Sequence, residues 1–305
     1  MNIAIIGAGA MGTLLASYLC QNNHVTLIDS WQSQIDHIQH HGLRRERDGV
    51  TTISRPSATT QPHEVNACDI VLVLVKYHQT AWAAQHANII LASGGVCITL
   101  QNGIGGADIL KSILGSHRVS QGVTSLGATL LDIGYVKHAG IGESVFAADH
   151  PSPFIPKLID TFNQSGLPAR HYENLESLIW GKLIVNAGIN ALTAILRVRN
   201  GELDTHPGAR QLVATIVNEA VEVAHAQQIS LPYDDPVAHV LSVARATAAN
   251  RSSTLQDVLR ESPSEIATIN GAVVRAANVY GVDTPYNRML TELMDIIDSS
   301  NHQLT

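Results

Sequence analysis

Ile3-Ala4-Ile5-Ile6 runs directly into Gly7-Ala8-Gly9-Ala10-Met11-Gly12, and a helical pattern opens on those glycines. An apolar strand, a G-x-G-x-x-G turn and a helix, in that order, leave such a chain few folds to choose from. Gly7 permits the tight turn, Gly9 lets backbone approach a pyrophosphate, and Gly12 lets helix pack closely on strand, while the unpaired N–H groups of the helix start face an anion. Gly7, Ala8, Gly9, Ala10, Met11 and Gly12 are therefore the expected dinucleotide cradle. The competing reading is a glycine-rich strand-to-helix turn that binds nothing.

Residues 2 to about 170 alternate short apolar runs with helical stretches, the pattern of parallel strands covered by helices. Strands are expected at 2–6, 25–29, 70–75 and 96–100, and helices at 11–21 and 79–92, the second ending at a Ser93-Gly94-Gly95 turn. Glycine-punctuated pieces at 119–125, 127–131, 134–138 and 143–147 read as antiparallel strands finishing the same sheet. From Asn174 the periodicity is helical, over 175–197, 205–228, 236–249, 263–280 and 286–300. The expected architecture is α/β: an N-terminal Rossmann-type dinucleotide-binding domain over 1–170 and an all-α C-terminal domain over 171–305, with a ligand cleft where they meet.

A chain of 305 residues with 45% hydrophobic and 15% charged residues excludes disorder, and a formal charge of −7 disfavours nonspecific attraction to nucleic acid or anionic membrane. The expected partner is a small molecule, and the protein a monomer or homodimer. No basic segment with a cleavage site opens the chain, and Ile70–Val75, the longest apolar run of the first half, is too short to span a bilayer, so a cytoplasmic protein without a membrane segment is expected. Cys20, Cys68 and Cys97 lie singly in apolar stretches and read as reduced core residues. His37, His40 and His41 read as a solvated helix end, so no metal is expected, and Trp31, Trp82 and Trp180 read as packing residues.

Asp29 closes the second strand about 20 residues after the glycines, where a carboxylate accepts hydrogen bonds from the adenosine ribose; its alternative is a turn or helix-capping role. Ser30, Trp31, Gln32 and Ser33 follow, and no base stands before Arg44, a pattern that suits NAD(H) better than NADP(H). Lys76 and Asn102 follow the third and fourth strands, at the carboxyl edge where open α/β sheets bind ligands; Lys76 reads equally well as solvated.

In the helical half, Lys182, Asn186 and Asn190 recur every fourth position of an otherwise apolar helix and share one face over about 12 Å. Buried amides without partners cost on the order of 1–3 kcal/mol each, so a substrate or a structural network must satisfy them. Further on, Pro263-Ser264-Glu265 sits where a helix should begin, and Glu265 reads either as a first-turn carboxylate favoured by the helix dipole or as a site residue.

Trp180-x-Lys182-x-x-x-Asn186-x-x-x-Asn190, Asn200-Gly-Glu-Leu203, Asn250-x-Ser-Ser253-x-Leu-Gln-Asp257 and Glu265-Ile-x-x-Ile-Asn-Gly271, following the glycine motif in this order, resemble the ketopantoate reductase (2-dehydropantoate 2-reductase) family along essentially the whole chain. The resemblance implies hydride transfer from a nicotinamide to a 2-oxo acid, with Lys182 as proton donor to the carbonyl oxygen and Glu265 holding the substrate hydroxyl. It also implies that Asn186, Asn190, Asn200, Asn250 and Ser253 surround the substrate and that Asn102 stands between cofactor and substrate. Members of that family commonly use NADPH and carry a base just past the second strand, where this chain has Asp29-Ser30-Trp31. Two other functions fit the same residues: an NAD-dependent D-2-hydroxy acid dehydrogenase, and an NAD(H)-binding regulator that turns nothing over.

Overall fold

The computed structural model describes residues 1–148 and 150–301. Two compact units divide the chain, Met1–Gln101 with Gly106–Leu175 and Asn102–Gly105 with Glu176–Thr305.

In the first unit the chain runs β1 (Asn2–Ile6), α1 (Ala10–Leu19), β2 (His24–Ile28), α2 (Gln32–His41), β3 (Leu43–Arg47), β4 (Val50–Ser54), β5 (Ser57–Thr59), β6 (Cys68–Val73), α3 (Thr80–Ile90) and β7 (Leu91–Thr99). It continues through α4 (Gly106–Leu114), β8 (Val119–Thr124), β9 (Gly127–Asp132), β10 (Tyr135–Gly140), β11 (Ser144–Ala147), α5 (Phe154–Gln164) and β12 (Ala169–Tyr172). The larger sheet has the order β12-β11-β8-β7-β6-β1-β2-β5. β1 lies parallel between β2 and β6, with Ile5 opposite both Leu27 and Leu72. Side chains alternate across this sheet with the two-residue period of a strand. Ile3, Ile5, Ile70 and Leu72 join Leu14, Leu158 and Phe162 on one face. Ala4, Ile6, Val71 and Val73 join Ala83, Ala87, Leu110 and Leu114 on the other. Both faces are covered, which is why the strands read as continuous apolar runs.

The strand arrangement departs from the sequence expectations in several places. Ser93-Gly94-Gly95 is not a turn before the strand but part of β7, where the pairing with β6 slips between Cys68 and Ile70. β8 and β11 do join the main sheet, β11 antiparallel to β8, but β9 and β10 leave it. They form a second sheet, ordered β4-β3-β10-β9, that packs against α1. Its unexpected half is the β3–β4 hairpin, which turns at Asp48 and Gly49 with φ of 51° and 79°. Two successive positive φ angles are what a two-residue hairpin turn demands. Under this sheet the Arg45 guanidinium lies 3.6 Å from the Tyr18 ring centroid, and the Tyr18 hydroxyl meets His138 Nδ1 at 2.8 Å.

The second unit consists of α6 (Leu175–Leu196), α7 (Glu202–Thr205), α8 (Pro207–Ala226), α9 (Pro236–Ala246), α10 (Ser253–Leu259), α11 (Asn270–Tyr280) and α12 (Pro285–Asn301). By length and composition α6 is apolar enough to cross a membrane, yet 67% of its apolar window is buried. It is the centre of this unit: Leu183, Ile184, Ala187 and Leu192 share one core with Val213, Ile216, Val217 and Val240. Gly188 sets the spacing, since a Cβ there would press on Val217 and Val240. The single helix expected over 263–280 is broken. A 3₁₀ turn at Ile266–Thr268 precedes α11, and Ile269 takes φ −105° and ψ −93°, outside the helical region.

All three cysteines are free; Cys68 and Cys97 are buried, and burial pushes the Cys97 thiol up to about 12. Trp180 is a core residue, but Trp31 is 41% exposed at the start of α2 and does not pack as expected.

Candidate active site

Within the first unit, β1 delivers the chain to Gly7, whose φ of 114° and N–H donated to Ile28 O at 2.8 Å set the turn. A Cβ on Gly7 would strike the backbone of Leu74 and Val75, and one on Gly12 would strike the Gly7 carbonyl. At Gly9 the position of a Cβ is open space, and no side chain caps the start of α1. Bare backbone N–H groups facing open space at a helix N-terminus fit a pyrophosphate.

Asp29 braces this loop: Oδ2 accepts from Ala8 N at 2.6 Å and Oδ1 from Trp31 N at 3.0 Å. An ionised carboxylate has about four acceptor sites, so two remain for ribose hydroxyls. The turn role and the ribose role are therefore compatible in this one residue. Gln34, which the sequence did not single out, is buried and donates to Ala8 O at 3.0 Å while accepting from Gly134 N at 2.8 Å. Arg44 stacks on Tyr135 and Arg45 is buried beside Ser17 and Tyr18, so both basic side chains of β3 are engaged within the small sheet and against α1. Lys76 opens the 3₁₀ turn after β6. Beside it the Gln101 amide donates to Val75 O at 2.7 Å and Thr80 Oγ1 at 2.9 Å, tying the ends of β6 and β7 to α3.

Within the second unit, α6 carries Lys182, Asn186 and Asn190 along one face. Lys182 is partly exposed at its surface, and its surroundings pull the ammonium down to about 8. Burial is the larger cause, and the Glu265 carboxylate opposes it. Glu265 is buried and accepts from Asn102 Nδ2 at 3.4 Å. Asn102 is held there because Ile104 N donates to Thr268 O at 3.1 Å and because Gly103, at φ 82°, lets the loop lie against Thr268. Glu265 makes no side-chain cap; Ser264 Oγ accepts from Ile266 N at 3.3 Å instead. Asn190 Nδ2 donates to Ser253 Oγ at 3.4 Å, and the neighbouring Ser252 caps α10.

Lys182, Glu265 and Asn102 thus form one group, and Asn190 with Ser253 a second along the same helix. Asn200 and Asn250 are tied to each other: Asn200 N donates to Asn250 O at 3.1 Å, and Asn200 Nδ2 donates to Thr247 at 2.9 Å. Asn250 itself is exposed. A buried chain absent from the sequence expectations holds α6 in place. Glu219 accepts from the backbone N–H groups of Tyr286 and Asn287, each at 2.9 Å, and from Asn287 Nδ2 at 2.7 Å. Asn270 Nδ2 then donates to Asn287 Oδ1 at 3.0 Å and to Ala187 O on α6 at 3.2 Å.

A nucleotide-binding α/β unit and a helical unit carrying a depressed lysine beside a buried glutamate define the class: a two-unit protein with the parts of a nicotinamide-dependent oxidoreductase. The family model described as ketopantoate reductase PanE/ApbA matches residues 3–150, and its C-terminal counterpart matches 174–298. The chain belongs to the PanE/ApbA ketopantoate reductase family. It is 32% identical to the 2-dehydropantoate 2-reductase of Halobacterium salinarum over 298 residues, covering 96% of this chain and 98% of that one. Among solved structures it is similar to a PanE/ApbA family ketopantoate reductase from Ralstonia eutropha JMP134, with TM-score 0.92 at 32% identity over 99% of this chain and all of that one. It is also similar to D-mandelate dehydrogenase with NADH and anilino(oxo)acetate, with TM-score 0.91, 32% identity and 99% coverage of both chains.

Proposed function

We propose that this protein reduces 2-dehydropantoate to pantoate with a reduced nicotinamide cofactor, Lys182 giving the proton to the carbonyl oxygen and Glu265 holding the substrate hydroxyl. The observation that carries this reading is the Lys182–Glu265–Asn102 group, in which burial brings an ammonium to a pKa of about 8. When bound, the cofactor supplies the hydride. Negative charge then develops on the ketone oxygen, where the Lys182 ammonium stabilises it and releases a proton to it, later regaining one from water. Glu265, acceptor only when ionised, is matched to a hydroxyl donor, and Asn102 orients its carboxylate. Asn186, Asn190 and Ser253 are proposed to bind the rest of the substrate. Asn200 and Asn250 enter as residues that shape its surroundings. On the cofactor side the proposed residues are Gly7 to Gly12, Asp29 and Lys76, with the exposed Trp31 indole beside the adenosine end.

The curated relatives of this length bear the name of this activity, which supports the substrate. A second reading, an NADH-dependent D-2-hydroxy acid dehydrogenase, is favoured by one feature, the acidic Asp29 where a 2′-phosphate would need a base. Steady-state oxidation of NADH and NADPH with 2-dehydropantoate, benzoylformate and short branched 2-oxo acids separates the two. A kcat/KM for 2-dehydropantoate below that for benzoylformate overturns the first reading.

Two results follow from the site. Glu265→Ala raises KM for 2-dehydropantoate by roughly 10–100-fold, the worth of a hydrogen bond to a charged group, and changes KM little for an analogue without the hydroxyl. Equal penalties on both would mean a structural role. The pH dependence has a fixed sign. The acid form of Lys182 is required for reduction, so kcat/KM for the 2-oxo acid is level below about pH 8 and falls as pH rises through it. Oxidation of the hydroxy acid, which needs the free amine, rises over the same window. A reduction profile that climbs through that window removes Lys182 as the acid.

A further inference from the structure

Both backbone groups of Ala8 are taken up inside the protein. Its N–H goes to Asp29, and its carbonyl oxygen accepts from two buried side chains, Thr13 Oγ1 at 3.0 Å and Gln34 Nε2 at 3.0 Å. A carbonyl oxygen has two lone pairs, so this one is fully occupied. Gln34 Nε2 also donates to Thr13 Oγ1 at 3.3 Å, while Gln34 Oε1 accepts from Gly134 N at 2.8 Å. The amide has one workable orientation: turned over, it would set oxygen against the Ala8 carbonyl and N–H against the Gly134 N–H. Gly134 is itself held in the β9–β10 turn, where its carbonyl accepts from Arg44 N at 2.8 Å and its φ is 64°.

The direction of the Ala8 carbonyl decides what the loop offers a ligand. In a trans peptide the C=O and the following N–H point in opposite directions. With Ala8 O drawn inward to the side chains of α1 and α2, Gly9 N–H points the other way. Gly9 is exposed, nothing lies within 4 Å of where its Cβ would stand, and its N–H has no acceptor among the described residues. Glycine makes this arrangement reversible. A half-turn of the Ala8–Gly9 peptide changes ψ of Ala8 and φ of Gly9, now −72°, and glycine adopts the resulting positive φ at no steric cost. Flipped, the loop would present a carbonyl oxygen to an anion in place of a donor. The residue that lets backbone come close to a pyrophosphate therefore needs neighbours that hold its N–H outward.

We propose that Gln34, together with Thr13, is a positioning residue for the cofactor: it holds the Ala8 carbonyl inward and so keeps the Gly9 N–H aimed at the pyrophosphate. This rests on the reading of the Gly7–Gly12 loop as the dinucleotide cradle, and adds to it a residue of α2 that sets the cradle's affinity. Asp29 fixes the N–H side of Ala8 and Gln34 the carbonyl side, the second anchored through Gly134 to the small sheet. The effect is confined to ligands that carry phosphate, since a bare nucleoside has no use for the Gly9 N–H.

Fluorescence titration of the full chain with NADH and NADPH, and competition by ADP and by millimolar adenosine, test this through binding alone, independently of Lys182. Gln34→Met, close in length and volume, raises the dissociation constants of the dinucleotides and of ADP by about tenfold, the worth of one hydrogen bond to a charged group, and leaves that of adenosine unchanged. Thr13→Val leaves the Gly134 bond in place, and serves as the second test should the first variant unfold. With Gln34 still holding the carbonyl it weakens ADP by about threefold and adenosine not at all. The double variant has neither donor and weakens ADP by about 100-fold, more than the product of the single effects. Equal weakening of ADP and adenosine, dinucleotide binding unchanged in Gln34→Met, or effects that simply multiply in the double variant overturn the proposal and leave the cradle reading intact. A parent protein that binds neither dinucleotide nor ADP removes the cradle reading, and this proposal with it.

Discussion

Lys182→Ala is expected to lower kcat for 2-oxo acid reduction by about three orders of magnitude, the scale of losing a positioned general acid together with its electrostatic stabilisation. The charge it answers exists only as the ketone becomes an alkoxide, so the loss falls on kcat more than on KM. Affinity for the reduced cofactor, measured by fluorescence titration, should stay within a fewfold of the parent, because the glycine loop and Asp29 proposed to receive it are in the other unit. Lys182→Arg is the informative companion. It keeps a cation but holds its proton far more tightly, so it restores part of the electrostatic effect and little of the proton transfer. It should also remove the fall in activity through pH 8. Turnover near normal in Lys182→Ala removes the mechanism proposed above.

How far the chain could be read in advance depended on whether a pattern was local. The glycine turn was legible because strand, turn and helix are contiguous, and β1, β2, β6 and the last part of β7 followed from apolar runs buried on both faces. The β3 strand was not legible, because Leu43-Arg-Arg-Glu-Arg47 shows no apolar alternation; Arg45 is buried through its stem and its stacking on Tyr18 rather than as a hydrophobe. The Asp48-Gly49 pair was the signal that would have found that hairpin. The spacing of Lys182, Asn186 and Asn190 was readable from one helix. The partner of Lys182 was not, since Glu265 looked equally like a cap until the structure gave that bond to Ser264 and turned Glu265 to Asn102, 163 positions away. No local pattern could have linked Glu219, Asn287, Asn270 and Ala187, whose contacts span 17 to 83 positions. Their consequence is a hydrogen bond to the carbonyl of Ala187, which lies between Lys182 and Asn190 on α6.

With Asp29 at the adenosine ribose as proposed, the choice of cofactor should favour NADH, by a kcat/KM ratio on the order of 100, because its carboxylate would face a 2′-phosphate, and two such charges within several ångströms repel by a few kcal/mol at intermediate dielectric. Ser30 to Ser33 bring no guanidinium to offset this, and the nearest arginines downstream are occupied, Arg44 on Tyr135 and Arg45 on Tyr18. Asp29→Ser with Ser30→Arg removes the repulsion and adds a forked donor, which should move the ratio toward NADPH by roughly 100–1,000-fold. The switch has a structural cost. Serine retains a short acceptor for Trp31 N but withdraws the one that Ala8 N now uses at 2.6 Å, so the variant should lose about 1–3 kcal/mol of stability and some activity with either cofactor. Thermal unfolding with and without each cofactor separates that loss from the change in preference. A clear NADPH preference in the unmodified protein would show that Asp29 serves only to brace the glycine loop, and that some other side chain answers the phosphate.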